Sequence, residues 1–299
     1  MHIPASMLNG AICPVTAAFS AVGVGVAAIV AKKIENKPSA AKFAAVTSLI
    51  FALQMLNYPV QNGTSGHLVG ALLGVSLLGM PFAILSMAIV LAVQAVFFGD
   101  GGINALGANI LNMSLLAAGL GGFIYSVMKA KGIHKQVSLG IAALFSVLIG
   151  ALACSLEVGI SGTVAFGKVL PAMLSVHMLI GFGEALLTVA VVSVLGFYTS
   201  LWQENEKQFA FGAFALAGVA ALFSPFASSF PDGLEWVAHK LSFMEFSGFE
   251  MPAIFPDYQA TFISSPAFAT IFAGLMGVIL VSGLTWIIGK GLEQARVKV

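Results

Sequence analysis

Charge is what this sequence has least of. Asp, Glu, Lys and Arg make up 8% of its 299 residues, and hydrophobic residues make up 59%. A soluble domain carries about 25% charged residues, so this chain lacks the polar side chains to cover a water-facing surface. A net charge of +1 leaves no field to attract nucleic acid. There are two cysteines, Cys13 and Cys154, both in apolar stretches. They are too few for a disulfide framework or a thiolate metal site and read as small buried hydrophobes. No G-x-x-x-x-G-K-[ST] loop is present, so the chain cannot drive itself with ATP. H-E-x-x-H and a convincing Ser/His/Asp set are missing too. Residues 1–9 hold no Lys or Arg, so the positive region of a cleavable signal peptide is absent. The expectation is a retained N-terminus with a free Met1 amine, because His2 is too large to permit removal of the initiator. No internal repeat or low-complexity tract interrupts the chain.

Long apolar runs dominate what remains. Nine can be marked, at 11–31, 42–56, 68–78, 80–98, 106–128, 137–157, 169–198, 209–229 and 267–288. Most approach the roughly 20 residues a spanning helix needs. The third is short and follows a polar loop, which predicts a partial helix buried in protein. The expected fold is all-α: a polytopic transmembrane helical bundle with a seven-span core, then two further spans separated by a long outer loop at 230–265. The charged linker 199–208 divides the chain into a first unit at 1–204 and a second at 205–299. With the N-terminus outside, eleven of the thirteen basic residues fall on the cytoplasmic side, leaving only Lys168 and Lys240 outside. That count predicts an outer N-terminus and a cytoplasmic C-terminus.

The chain opens on Met1-His2, whose nitrogens suit chelation. The α-amine and the His2 amide close a five-membered ring around a metal, and the amide and His2 Nδ1 close a six-membered one. Three in-plane nitrogens then leave one position for a distant donor. Of the five histidines, His67 follows a glycine-rich loop on the same expected side, at the mouth of the short third helix. A helix N-terminus disfavours a protonated ring, and the neutral ring is the one that binds metal. The expected ligands are therefore Met1, His2 and His67, with Thr64, Ser65 and Asn109 as supporting residues. Four planar nitrogens suit nickel(II) or copper(II), and cobalt(II) in a strong planar field; zinc prefers a tetrahedron. The bland alternative is that a histidine at position 2 and another in a loop do nothing together.

Other polar residues interrupt the apolar runs. His177 and Glu184 lie seven apart, on one helical face. They read as a hydrogen-bonded packing pair, or as a proton relay or ion site. The turn 99–102 with Asn104, Asn109 and Asn112 suggests a polar lid, with most of the amides capping helix ends. Small residues at Ala17, Ala21 and Gly25 permit close helix approach, either within the chain or to a partner subunit.

Four stretches carry a family resemblance: MHIP at the start, QMLNYPVQNGTSGHLVGALLG at 54–74, QAVFFGDGGINALGANILNM at 94–113 and VLPAMLSVHMLIGFGEALLT at 169–188. Together they resemble CbiM/NikM, the substrate-binding component of energy-coupling factor transporters for cobalt and nickel. FPDGLEWVAHK at 230–240, with Pro231, Asp232, Gly233, Leu234 and Glu235, is similar to the signature of the small CbiN/NikN component. The resemblance implies a fused chain in a prokaryotic plasma membrane. It also implies a metal held by Met1, His2 and His67, and two kinds of partner: a membrane coupling subunit and cytoplasmic ATPases. Fused chains are more typical of nickel systems, with cobalt as the alternative, and no organic cofactor is implied. Ala5-Ser6 departs from the acidic-glycine pair of many relatives. A reading from another class is an integral-membrane enzyme using His177 and Glu184 as acid and base.

Overall fold

The computed structural model describes residues 2–61, 63–201, 205–243 and 252–294. Eleven α-helices appear among them. They are α1 (Ile12–Lys33), α2 (Ala40–Gln54), α3 (Ala71–Leu78), α4 (Met80–Val93), α5 (Leu106–Ile110), α6 (Gly121–Ala130), α7 (Lys135–Ile160), α8 (Phe166–Leu201), α9 (Glu206–Phe223), α10 (Gly233–Lys240) and α11 (Pro266–Gln294). Wider π-type turns extend α4 over Gln94–Phe98 and join α5 to α6 over Leu111–Leu120. The only sheet among the described residues is a two-stranded antiparallel ribbon, β1 (Tyr58–Pro59) with β2 (Ser65–Gly66).

Among the described residues, seven helical stretches are long and apolar enough to cross a membrane. They fall where seven of the nine apolar runs were marked. The other two runs form shorter helices. At 1.5 Å per residue, α2 reaches about 22 Å and α3 about 12 Å, less than the roughly 30 Å hydrocarbon core.

Burial explains why such short helices are tolerated. Every residue from Phe43 to Ala52 is buried. A helix apolar all round belongs inside a bundle rather than at its surface. α4, α9 and α11 pack around it, so the two C-terminal spanning helices are built directly onto the core. The approach of α11 depends on Gly277, where a Cβ would lie only 2.1 Å from the Phe51 ring. By contrast, α1 presents Phe19, Val22, Val26 and Ile29 outward, as a lipid-facing helix does.

The second module adds α10, a short helix with a complete capping box. Asp232 Oδ1 accepts from the Leu234 and Glu235 amides at 2.8 and 2.9 Å, and Glu235 Oε2 accepts from the Asp232 amide at 3.0 Å. The PDGLE sequence is thus a self-sufficient helix start, and it docks against α8.

Candidate metal site

The N-terminal residues fold into the bundle as a plug. Ile3, Met7 and Leu8 are buried. The Met7 carbonyl accepts from Thr163 Oγ1 at 2.7 Å. Asn109 clamps Ile3 through two bonds: its Oδ1 accepts from the Ile3 amide at 2.8 Å, and its Nδ2 donates to the Ile3 carbonyl at 3.2 Å. These contacts fix the main chain directly after His2.

A chain of side-chain amides then sets the tautomer of His2. The Val69 carbonyl can only accept, so the group facing it at 2.7 Å is Gln54 Nε2. Gln54 Oε1 accepts from Gln94 Nε2 at 2.8 Å. Gln94 Oε1, 3.2 Å from His2 Nε2, must in turn accept from the ring. Gln94 therefore holds a ring proton on Nε2, and Nδ1, which faces Asp100 Oδ1, is the nitrogen left to bind a metal once any proton it shares with that carboxylate is lost. His67 is fixed in the opposite sense. Its Nδ1 lies 3.1 Å from the Leu68 carbonyl, which can only accept, so Nε2 bears the lone pair. The two rings stack with centroids 5.3 Å apart and planes 20° from parallel. Both are buried. Burial lowers the pKa of His2 against the opposing pull of Asp100. Burial likewise lowers the pKa of His67.

One wall of the site is acidic and comes from both modules. Asp100 Oδ1 lies 3.2 Å from His2 Nδ1, and Asp100 Oδ2 accepts from the Tyr258 hydroxyl at 2.6 Å. Burial, then the adjacent Asp100 carboxylate, push the Tyr258 phenol well above its ordinary pKa, so it stays a donor. A cavity of about 450 Å³ opens over these groups, with Asp232, Glu235 and Gln54 also in its walls. Among the described residues no three His, Cys, Asp or Glu side chains converge as a ready metal site. A planar nitrogen set needs only two side chains, because main-chain nitrogens complete it.

The supporting residues differ in what they do. Ser65 ties the His67 loop to the PDGLE segment: its amide donates to the Pro231 carbonyl at 2.8 Å and its hydroxyl to the Phe230 carbonyl at 2.7 Å. Thr64 has a buried hydroxyl with no hydrogen-bond partner among the described residues. Met1 lies outside the described residues. Asn109 holds Ile3, as above. Asn112 neither caps a helix nor joins a lid. Its Nδ2 donates to Glu157 Oε2 at 2.6 Å, across to α7.

His177 and Glu184 do not form the expected pair. The His177 Nδ1–H donates to the Met173 carbonyl at 2.8 Å, one turn back on its own helix. Glu184 turns instead to the start of α3, where its two oxygens accept from the Val69 and Gly70 amides at 2.5 and 2.9 Å. Gly70 is the N-cap of α3 and Val69 precedes it; neither amide has a partner within the helix, and together they draw the carboxylate away from the histidine. Sequence reasoning missed Gln54, Gln94 and Tyr258. The glutamines carried a signal, since a polar side chain within an apolar run is costly unless partnered. Tyr258 carried none.

Comparison with known proteins fits this architecture. Residues 2–202 match the CbiM family, described as the cobalt uptake substrate-specific transmembrane region. The chain belongs to the CbiM family. Residues 206–294 of this CbiM-family chain match the PDGLE domain, so it is a CbiM/NikM component fused to a PDGLE module. A protein of Archaeoglobus fulgidus named as a fused nickel transport protein NikMN is 32% identical over 95% of this chain and 96% of its own length. The fused nickel transport protein NikMN of Rhodobacter capsulatus is 30% identical over 65% of this chain and 61% of its own length. A crystal structure of a truncated transition metal transporter superposes with a TM-score of 0.60 at 32% identity. The match covers 69% of this chain and all of that one. The CbiM-family chain is therefore a multi-pass membrane protein and a metal transporter of the CbiM/NikM type.

Proposed function

We propose that this chain is the substrate-capture subunit of an ATP-driven energy-coupling factor importer. It takes up a Ni²⁺ ion on the outer face of a prokaryotic plasma membrane. The ligands are the Met1 amine, the His2 amide nitrogen, whose proton the metal displaces to solvent, His2 Nδ1 and His67 Nε2. What supports this reading is the pair of hydrogen-bond acceptors that face one nitrogen of each ring. Gln94 holds the proton of one ring on Nε2 and Leu68 holds that of the other on Nδ1. The two remaining nitrogens are the ones a planar chelate requires, and the fixing hydrogen bonds are of the kind that orient metal-bound imidazoles.

The division of labour follows the sequence. Residues 1–204 hold the ion, and residues 205–299 carry the PDGLE loop, which sets loading. A membrane coupling subunit and cytoplasmic ATPases supply the energy, since this chain has no phosphate-binding loop. The outer N-terminus and cytoplasmic C-terminus rest on the basic-residue count. Nickel is preferred because the matched fused relatives are named as nickel transport proteins. Cobalt is the alternative, favoured by the description of the family. The enzyme reading is weakened by Glu184, whose two oxygens are taken up in capping α3.

The test is uptake in cells that also make the partner subunits. His2→Ala and His67→Ala should each abolish labelled nickel uptake, and so should one residue added before Met1. Wild-type uptake by the extended protein, with the extension verified intact, overturns the amine ligand. Competition of labelled nickel against cobalt decides the ion.

A further inference from the structure

Asp100 stands where the proposed planar site has to be filled. Its Oδ1 is 3.2 Å from His2 Nδ1, the nitrogen assigned to the metal. First-row divalent ions sit about 2 Å from an imidazole nitrogen. No ion can lie on the line between these two atoms without the carboxylate moving back. Asp100 is also the anionic oxygen nearest that nitrogen, and it faces the 450 Å³ cavity. The Asp100 side chain is the more exposed of the two, 26% against 7% for His2, so it is the more accessible to a hydrated cation in the cavity.

The carboxylate is held from behind by the second module. The Tyr258 hydroxyl donates to Oδ2 at 2.6 Å, which leaves Oδ1 as the oxygen that faces His2. Tyr258 is itself fixed in three ways. Its ring stacks on Phe98 with centroids 4.8 Å apart. The Phe255 amide, three residues earlier, donates to the Phe97 carbonyl at 2.8 Å. Asp257 and Tyr258 both adopt left-handed backbone, at φ +50° and +57°. Two adjacent non-glycine residues in that region are costly, and here the turn delivers the phenol to Asp100.

We propose that Asp100 is the loading ligand of this site and that Tyr258 is its positioning residue. The step is a ligand exchange. One Asp100 oxygen replaces a water on the incoming divalent cation. His2 Nδ1 then replaces that oxygen as the ion drops into the nitrogen plane, the His2 amide proton and any proton on the amine or Nδ1 pass to water in the cavity, and the carboxylate pivots back on its bond to Tyr258. A planar d⁸ ion has no use for a fifth, oxygen ligand, so Asp100 governs the rate of loading more than the final affinity. The inference rests on the proposed nitrogen set and adds to it a route into the plane.

The experiment uses the full chain with its native N-terminus in detergent, mixed with nickel(II) chloride in a stopped-flow instrument while the absorbance of the planar complex is followed. Asp100→Asn should slow second-order loading by about tenfold or more, the scale of lost electrostatic steering, while the end-point spectrum keeps the planar band. Tyr258→Phe should slow loading by about two- to tenfold, as for one lost hydrogen bond, with the same end point. Asp100→Glu, which keeps the carboxylate, should recover part of the rate and guards against a mere folding defect. Wild-type loading by Asp100→Asn, or loss of the planar band in it, overturns the inference alone. Nickel binding that survives His2→Ala overturns the nitrogen set and this inference with it.

Discussion

Asn109 grips the main chain of Ile3 at both its amide and its carbonyl. The residue gripped follows His2, so the clamp sets where the His2 amide and ring can point. Asn109→Leu is close in volume and removes both bonds. It should weaken nickel binding about 10- to 100-fold, as loss of a supporting contact does at metal sites. Equilibrium competition with a chelator measures this, and unchanged affinity would show that the clamp serves folding only.

The tautomer of His2 depends on an acceptor at Gln94. Gln94→Leu removes it and lets the ring proton move to Nδ1. Nickel affinity should fall on the same 10- to 100-fold scale, and the unfolding midpoint should change less than in Glu184→Ala. Equal loss in both measurements would make Gln94 a packing residue.

Glu184 answers two amide donors at the start of α3, next to the His67 loop. Glu184→Ala leaves both donors buried without a partner, at about 1–3 kcal/mol each. Thermal unfolding in detergent should show the loss, and nickel affinity should fall with it. Glu184→Gln keeps one acceptor oxygen and should lose less. Activity loss in Glu184→Gln with stability and metal binding intact would revive an acid–base role.

Gly233 has no room for a side chain. A Cβ there would meet Ile180 Cδ1 at 2.7 Å and His177 Cε1 at 2.9 Å. The isoleucine end can swing aside, but the histidine ring is tethered to Met173. Gly233→Ala should cost about 1–3 kcal/mol of overpacking. The cost should shrink in a His177→Ala background, where the ring is gone. Additive losses in the double mutant would contradict that contact.

How much of this was legible beforehand follows from what sequence patterns record. Apolar runs record burial and length, so the nine runs and the shortness of the third could be read directly. They do not record which short helix is central, because α2 became so only when α9 and α11 packed on it. The chelate proposed at Met1-His2 rests on ring closure, which is local chemistry and needs no fold to be suggested. Gln54, Gln94 and Asn109 act across 40 to 106 residues of separation, which no local pattern encodes. His177 and Glu184 misled for the opposite reason. Their shared helical face was real, but Met173 and the α3 amides outcompeted the pairing. Tyr258 depends on a left-handed turn at Asp257 that its residues do not advertise.

The planar nitrogen set can be tested directly on purified full-length chain, loaded with nickel(II) and compared with the same protein carrying one extra N-terminal residue. The native N-terminus should give a diamagnetic complex with a visible band near the blue edge, as square-planar nickel(II) requires. The extended protein should lack it. A paramagnetic complex in the native protein, or the same band in the extended one, would contradict the ligand set.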